Sequence, residues 1–327
     1  MSDAEYEGAR QKAALFDLSS RGTIEVSGPD ATSFLQNLTT NDIAALEIDA
    51  GCEAYLATAK AKLIASLWVY RMAETVFHLD VAPGANDRVL KHLNFYLISE
   101  QVELADRSAE FACLHVAGPK ALEWVKTIFA LQEDLAEGRQ VVVEDGVVLR
   151  PCRRTALPGV DVVAPAAKKE ATTSRLHEAG IVKAGAETFD VLRIEGGIPA
   201  EGIDMTTDNL VMELGGCERA ICYTKGCYLG QEPIVRARDL GHVNWLFRGI
   251  AMDTRESPGG GAKVFDREKE VGRLTSSAWS PRFQKMLALG YLRRGHHEAG
   301  KSVIIDSGSQ RLPGIVADLP FDRETAR

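Results

Sequence analysis

The chain has 327 residues, of which 45% are hydrophobic and 26% charged, and its formal net charge is −8. This length exceeds what one hydrophobic core usually organises, so we expect two or three domains. The acidic balance argues against a nucleic-acid-binding surface, because phosphate binding depends on clustered lysine and arginine. No apolar run reaches the roughly 18 residues that cross a bilayer, and the chain starts with acidic residues where a targeting signal would carry basic ones. We therefore expect a cytoplasmic protein with no nucleic-acid and no membrane partner.

An internal repeat organises the first half of the chain. Ile24–Leu35 aligns without gaps on Leu114–Val125, 90 positions later. Each copy is typical of a strand, a Gly-Pro pair that starts a helix, and a helix with apolar residues at helical spacing. The pattern predicts two similar α+β halves, of which the second is a ferredoxin-like βαββαβ unit over residues 108–185.

Alternating or β-branched runs predict the remaining strands. In the first half these are Cys52–Ala57, Ile64–Arg71, Thr75–Val81, Val141–Val143 and Val147–Leu149. Beyond Gly241, short apolar strands with little helix between them predict a small antiparallel β-barrel. Its predicted strands are Leu246–Met252, Glu270–Ser276, Met286–Tyr291, Ser302–Ile305 and Leu312–Val316.

Between these regions, Glu187–Gly241 has the least regular pattern, and long irregular connections tend to carry function. Within it, Lys225–Glu232 places the Cys227 thiol in a glycine-bearing loop beside a lysine. A neighbouring ammonium favours the thiolate, which attacks electrophiles and binds metals. A buried, inert cysteine is the alternative, and local composition leaves the two open.

The six cysteines are expected to be reduced, because a chain of this length does not need disulfides. Cys217, Cys222 and Cys227 follow one another at intervals of five, which matches neither a zinc finger nor a ferredoxin spacing. We therefore predict no metal site. A metal or cluster carrier with these three ligands is kept as a third hypothesis.

The loop around Cys227 also carries a family resemblance. Lys225–Glu232, with Arg236 downstream, resembles the Lys-Gly-Cys-Tyr-x-Gly-Gln-Glu signature of the YgfZ family. Arg193–Pro199 resembles the Arg-x-Glu-x-Gly-x-Pro element that this family shares with the glycine-cleavage aminomethyltransferases, or T-proteins. Phe34–Asp42 resembles their common N-terminal element. The resemblance covers nearly the whole chain and weakens only in the terminal barrel.

This resemblance implies an α+β fold, a three-domain aminomethyltransferase-like cloverleaf around a central opening that binds reduced folate. The implied domains are a discontinuous folate-binding domain (residues 1–107 plus 186–243), a ferredoxin-like βαββαβ domain (108–185) and a C-terminal small antiparallel β-barrel (244–327). The implied cofactor is tetrahydrofolate or a derivative.

The resemblance implies site residues as well. Glu195 corresponds to the glutamate expected to bind the pterin, whose 2-amino group and N3 present adjacent donors that a carboxylate accepts in a bidentate manner. An exposed carboxylate at a strand end is the alternative for Glu195. Cys227 and Lys225 are the candidate catalytic residues. The other candidate folate-binding residues are Arg236, Tyr228, Gln231 and Trp68, although an aromatic residue on a strand is more often part of the core.

The sequence departs from the T-proteins at the start of one strand. T-proteins carry a catalytic aspartate just before a Leu-x-Val-Tyr strand, where this chain has Ala65 and Ser66 before Leu67–Tyr70. A catalytic acid or base contributes roughly a hundred- to ten-thousandfold in rate, so its absence argues against the parental reaction. Ala82 also replaces an asparagine that contacts folate in T-proteins. Whether this protein is an enzyme is therefore left open.

The YgfZ resemblance implies a tetrahydrofolate-binding protein that takes part in the synthesis or repair of iron–sulfur clusters, with iron–sulfur enzymes or assembly proteins as transient partners. In this hypothesis Cys227, activated by Lys225, handles a sulfur, an iron or a small electrophile beside the folate. The alternative is a folate-dependent one-carbon transferase for aminomethyl or methyl groups. That alternative requires another carboxylate in place of the lost aspartate.

Overall fold

The computed structural model describes residues 2–241, 243–308 and 310–322, without the side chain of Cys217. The chain forms two compact units. The first comprises the described residues up to 153 together with 157–186 and 216–235, and the second comprises 154–156, 187–215 and the described residues from 236 onward. Both copies of the predicted repeat therefore lie in the first unit, and the predicted barrel lies in the second.

The first unit is built from strands and helices in alternation. In chain order its strands are β1 Ala14–Asp17, β2 Gly22–Ser27, β3 Gly51–Ala57, β4 Leu63–Ala73, β5 Val76–Val81, β6 Glu103–Asp106, β7 Phe111–Ala117, β8 Val141–Val142, β9 Val148–Pro151, β10 Gly159–Pro165 and β11 Val182–Lys183. Its helices are α1 Asp3–Gln11, α2 Ala31–Leu38, α3 Asn86–Tyr96, α4 Ala121–Ile128 and α5 Lys169–Glu178. Two further helices, α6 Ala186–Glu195 and α7 Gln231–Leu240, each include a boundary between the units.

One sheet of the first unit has the strand order β3-β4-β5-β2-β6, and its neighbouring strands are antiparallel. Alternate residues of β4, Leu67 and Val69, join the apolar residues of α2 and α3 in one hydrophobic core. Successive side chains of a strand point to opposite faces. Trp68 and Tyr70 therefore lie on the face of the sheet that these helices do not cover.

The other sheet has the order β11-β1-β7-β10-β9-β8. Leu114 and Val116 of β7 and Val160 and Val162 of β10 form its core with apolar residues of α4 and α5. The predicted ferredoxin-like half is present, with one addition. The N-terminal strand β1 is inserted between β11, to which it is parallel, and β7, to which it is antiparallel. No local pattern predicts this, because β1 finds both of its neighbours about 100 or more residues further along the chain.

The predicted repeat is confirmed, since β2 leads into α2 as β7 leads into α4. Both copies need the glycine of the Gly-Pro pair for the same reason. Gly28 and Gly118 have φ of +128° and +151°, and an added Cβ would lie 2.2 and 2.3 Å from the carbonyl oxygens of Gln101 and Lys12. A side chain at either position would collide with passing backbone.

The two sheet faces that carry no helices meet inside the first unit. Tyr70 of the first sheet packs near Cys152, which follows β9 of the second sheet. The layer between the two sheets, here called the interlayer, also contains charged side chains. In it, Arg21 donates to both carboxylate oxygens of Asp80, at 2.7 and 3.1 Å. A small cavity here is lined by Arg21, Thr23, Asp80, Phe111, Cys113, Arg150, Asp161 and Val163. The layer between the sheets is thus polar, whereas the two cores under the helices are apolar.

The second unit is dominated by a closed antiparallel barrel with the strand order β12-β15-β14-β13-β16-β17. These strands are β12 Trp245–Met252, β13 Lys263–Asp266, β14 Lys269–Ser280, β15 Lys285–Arg293, β16 Ser302–Asp306 and β17 Arg311–Ala317. All five predicted barrel strands are confirmed. Strand β13 is not among the predicted strands, because four residues are too few to show an alternation.

The α+β class, the ferredoxin-like half and the terminal barrel are therefore confirmed. The region 187–241 is more regular than its sequence indicates, since α6 and α7 occupy its two ends. In the part of the chain that the structure describes, no helix is both long and apolar enough to cross a bilayer.

Candidate functional site

Lys225 holds the candidate loop in place. Its side chain is buried, and its ammonium donates to three backbone carbonyl oxygens, those of Gln36 at 2.6 Å, Thr39 at 2.9 Å and Asn41 at 2.6 Å. These carbonyls lie at the C-terminal end of α2 and just after it, where a helix leaves carbonyl groups without intrahelical partners. Lys225 therefore caps α2 from a position nearly 190 residues away in the chain.

This environment determines what the Lys225 ammonium can do. Burial lowers the pKa of Lys225 to about 8, while the nearby Asp42 carboxylate acts in the opposite direction. The ammonium also lies 5.0 Å from the centre of the Tyr228 ring, in a cation–π contact. All three N–H donors of a lysine are engaged by the carbonyls. The structure thus gives Lys225 an anchoring role, and its activation of Cys227 stays a prediction.

Cys227 lies on the exposed side of the same loop, whereas the Tyr228 side chain is buried. The loop is fastened again beyond the thiol, because the Leu229 amide donates to the Asn37 carbonyl at 2.9 Å. Gly230 has φ of +82°, and its position leaves no room for a Cβ. The exposed thiol is therefore held by anchors on both sides. The alternative of a buried cysteine is wrong, and the reactivity of Cys227 stays a prediction.

A second thiol of this segment has a lowered pKa. The Cys222 thiol lies 3.4 Å from the Thr224 hydroxyl, and this hydrogen bond lowers the pKa of Cys222. By contrast, burial raises the pKa of the Cys52 thiol to about 12. The sequence names Cys222 only as a metal ligand, together with Cys217, whose side chain lies outside the described residues. None of the five cysteines whose side chains the structure describes forms a disulfide bond.

The remaining two candidates of this segment, Gln231 and Arg236, lie on helix α7. Gln231 is the first residue of α7 and is half-buried. Arg236 lies in the middle of α7 and is exposed. An exposed guanidinium on a helix is suited to a carboxylate ligand in solvent, so contact of Arg236 with a folate tail stays a prediction.

Trp68 lies in the polar interlayer of the first unit. Its ring stacks on that of Tyr70, with 5.6 Å between the centroids and 12° between the planes, and Trp68 is 9% exposed. Its cross-strand neighbours are Glu53 and Asp80. The structure therefore places Trp68 among buried side chains, which agrees with the expectation that a strand aromatic belongs to a core.

The start of β4 has no acidic side chain. Ala65 is fully buried in the core under α2 and α3, and Ser66 pairs with Tyr55 of β3. A carboxylate at position 65 would be placed in an apolar core, which is costly. Only position 66, on the opposite face of the strand, could carry one.

Glu195 is the last residue of α6, in the second unit, and is 1% exposed. The Ser280 hydroxyl donates to Glu195 Oε1 at 2.5 Å, and the Phe321 amide donates to the Glu195 carbonyl oxygen at 3.1 Å. The alternative of an exposed carboxylate at a strand end is therefore wrong. Glu195 is a buried carboxylate in a fixed orientation.

Arg193, two residues before Glu195, anchors the helix that carries both residues. Arg193 donates to Asp190 at 2.6 Å, to Asp204 at 2.7 Å and to the Ser276 hydroxyl at 2.8 Å. Asp204 is fully buried, and the Tyr291 hydroxyl donates to its backbone carbonyl at 2.8 Å. This network explains why Arg193 belongs to the same sequence element as Glu195. The arginine positions the helix end from which the glutamate projects.

Comparison with known proteins gives the family. Residues 1–223 match the model of the GCVT N-terminal domain. Residues 247–322 match the model of the glycine cleavage T-protein C-terminal barrel domain. The chain belongs to the glycine cleavage T-protein family. The expected T-protein superfamily is thereby confirmed, whereas the narrower YgfZ branch stays a prediction.

Individual members of the T-protein family are similar over nearly the whole chain. The aminomethyltransferase of Symbiobacterium thermophilum is 29% identical, over 99% of this chain and 90% of its own length. That of Corynebacterium aurimucosum is 30% identical, over 97% and 89%. Among solved structures, the glycine cleavage system aminomethyltransferase T from Bartonella henselae has a TM-score of 0.89 at 23% identity, covering 98% of this chain and 89% of that one. This likeness shows that the two proteins share a fold.

Proposed function

We propose that this protein binds tetrahydrofolate or a derivative and takes part in folate-dependent one-carbon chemistry. The family and the full-length similarity to proteins named aminomethyltransferase support this function. They support it better than the maintenance of iron–sulfur clusters, which none of these names mentions.

The buried Glu195 carboxylate is the observation that carries the proposal. A carboxylate almost fully removed from water is stabilised by hydrogen-bond donors. Ser280 supplies one, and a pteridine would add two adjacent donors in the geometry that a carboxylate accepts. Bidentate recognition requires the carboxylate plane to be fixed. The bond from Ser280 Oγ to Glu195 Oε1 fixes the rotation of that plane before the ligand arrives.

Equilibrium binding of tetrahydrofolate, followed by tryptophan fluorescence under anaerobic conditions, tests this role. A hydrogen bond to a charged group contributes about 1.5–3 kcal/mol, so Glu195→Gln should weaken binding about 10- to 100-fold. Ser280→Ala should weaken it about 3- to 10-fold, since only the orientation is lost. The control is Ser277→Ala on the same strand, whose hydroxyl contacts Ser257 at the surface. Wild-type affinity in Glu195→Gln would contradict the proposal.

Transfer itself is tested by turnover of tetrahydrofolate with an aminomethyl or methyl donor. Ser66 is on the face of β4 opposite the apolar core, so Ser66→Asp can place a carboxylate where T-proteins have theirs. Turnover by the wild type would establish a transferase that uses another group as acid or base. Turnover by Ser66→Asp alone would mean that this protein binds folate without completing the transfer.

Iron–sulfur maintenance is the second candidate, and one specific observation favours it. The YgfZ-like segment Lys225–Glu232 is complete, and its Cys227 thiol is exposed between two anchors. The test is rescue of an iron–sulfur enzyme activity in cells that lack their own YgfZ-type protein, comparing wild type with Cys227→Ala and Glu195→Ala. Rescue that Cys227→Ala abolishes would support this candidate, and failure of the well-expressed wild type would exclude it.

A further inference from the structure

A cluster of metal-ligating side chains lies in the polar interlayer of the first unit, away from the candidate loop. His115 of β7 and Asp161 of β10 are directly opposite each other in the strand register, and Arg150 of β9 is opposite Asp161. The His115 Nδ1 and Asp161 Oδ1 atoms are 2.7 Å apart. Cys152 follows β9, two residues beyond Arg150.

Three of these side chains converge. One ligand atom each from His115, Cys152 and Asp161 lies within 4.8 Å of the other two, and the residues are 0%, 2% and 1% exposed. Within the described ranges, this is the one group of three such side chains that meets that distance. The carrier hypothesis with Cys217, Cys222 and Cys227 as ligands stays a prediction, because the Cys217 side chain lies outside the described residues.

The surroundings of the cluster are polar and enclosed. The Tyr70 hydroxyl is buried and makes no hydrogen bond to any described residue, although its ring packs near Cys152. The Arg150 guanidinium lies over the same ring, 4.1 Å from its centre, and donates to the Gln140 side chain at 3.0 Å. The small cavity of the interlayer reaches Arg150 and Asp161. The cluster therefore has an additional oxygen and room for a water close by.

The geometry selects one nitrogen of His115. Gly159 of β10 lies against the other edge of the ring, where an added Cβ would be 2.5 Å from Cε1 and 2.7 Å from Nε2. Backbone thus occupies the Nε2 edge. Nδ1 lies 2.7 Å from Asp161 Oδ1, so an ion bound between these two atoms would contact His115 through Nδ1.

We propose that His115 Nδ1, Asp161 and Cys152 bind a Zn²⁺ ion inside the first unit. The ion replaces the proton between Nδ1 and Oδ1, and that contact opens from 2.7 Å to about 3.3 Å, the separation of two tetrahedral ligands at the usual zinc distances. Cys152 loses its thiol proton to solvent on binding. The two positive charges of the ion are then balanced by one carboxylate and one thiolate, and the buried Arg150 guanidinium keeps the charge that it carries without the ion.

A mixed set of imidazole, thiolate and carboxylate suits Zn²⁺, which usually takes four ligands. The fourth is a water or the Tyr70 hydroxyl. Because the site is buried on all sides, the ion adds to the stability of the folded unit and has no opening for a substrate. This inference does not depend on folate binding, and either can fail without the other.

Titration of the full-length, reduced, metal-free protein with Co²⁺ alone tests the site. One equivalent should produce the visible absorption of tetrahedral cobalt and a thiolate-to-cobalt charge-transfer band. Cys152→Ser should lose the charge-transfer band, and His115→Gln should weaken binding at least tenfold. The matched controls are Cys113→Ser, two residues before His115 on β7, and Cys227→Ser in the exposed loop, and both should bind as wild type does.

Thermal unfolding and X-ray absorption complete the experiment. Zn²⁺ should raise the unfolding temperature of the wild type and of Cys113→Ser, but not that of Cys152→Ser. If the Cys152→Ser variant fails to fold, X-ray absorption at the zinc edge of the zinc-loaded wild type tests the site instead. We expect one sulfur ligand at about 2.3 Å from the zinc. Two or more sulfurs, a charge-transfer band that Cys227→Ser abolishes, or a folded wild type that binds no Co²⁺ would each overturn the proposal.

Discussion

Substitution of Lys225 by methionine separates an anchoring lysine from a catalytic one. Methionine keeps an unbranched apolar stem and removes the ammonium that donates to Gln36, Thr39 and Asn41. If Lys225 served only to activate the neighbouring thiol, the variant would fold with wild-type stability. If it caps α2, the first unit should lose stability.

The size of the loss follows from the burial of the three carbonyl groups. The contact with the Thr39 carbonyl is fully buried, and a buried acceptor left without a donor costs about 1–3 kcal/mol. The contacts with Gln36 and Asn41 are partly buried, so water can replace much of each. Removal of a buried ammonium also returns some stability, because burial disfavours its charged form. The small costs at Gln36 and Asn41 and this gain offset each other, so we expect a net loss of about 1–3 kcal/mol.

The assay is thermal unfolding of the full-length protein by circular dichroism. In a unit of about 200 residues, 1 kcal/mol shifts the midpoint by about 2–4 °C, so Lys225→Met should lower the midpoint by about 2–12 °C. Lys91→Met is the control, since Lys91 is exposed on α3, and it should change the midpoint by less than about 2 °C. A Lys225→Met midpoint within 2 °C of wild type would refute the anchoring role and favour Lys225 as the activator of Cys227.

Two further predictions concern the same region. Gly230→Ala should destabilise the first unit by more than about 1 kcal/mol in the same assay. The reason is that φ of Gly230 is positive and an added Cβ would lie 2.6 Å from the Thr58 carbonyl oxygen. Gly226→Ala is the control and should not destabilise the unit, because Gly226 has open space around it. In alkylation at pH 8 followed by mass spectrometry, Cys222 should react well before Cys52, because the thiolate is the reactive form and the pKa of Cys222 is lowered while that of Cys52 is raised to about 12. Equal rates for the two thiols would contradict these shifts.

The strands, helices and repeat were predicted wherever the pattern is local. The Gly-Pro copies at Gly28 and Gly118 mark β2–α2 and β7–α4, because a strand, a tight turn and an amphipathic helix each leave a short-range signature. The barrel strands were predicted for the same reason. β13 was missed because it is too short to show a period, and the insertion of β1 because its partners are remote.

The candidate site was predictable in residue type and only partly in environment. The glycine-bearing loop around Cys227 is a local feature, but only the structure shows that the thiol is exposed. The burial of Glu195 does not follow from a local pattern, because it depends on the Ser280 hydroxyl of β14, 85 residues away. The position of Lys225 two residues before Cys227 predicts an activator of the thiol, yet its ammonium contacts the end of α2 and the residues just after it.

By itself, then, the sequence determined the α+β class, the repeated strand–turn–helix, the terminal barrel and the family, because each depends on short-range periodicity or on a contiguous motif. Tertiary structure alone decided which polar groups share one environment. His115, Cys152 and Asp161 come from separate strands and meet only through the register of β7, β9 and β10. Register is set by the burial of whole faces and not by any one segment, so a grouping of this kind has no signature in the linear chain.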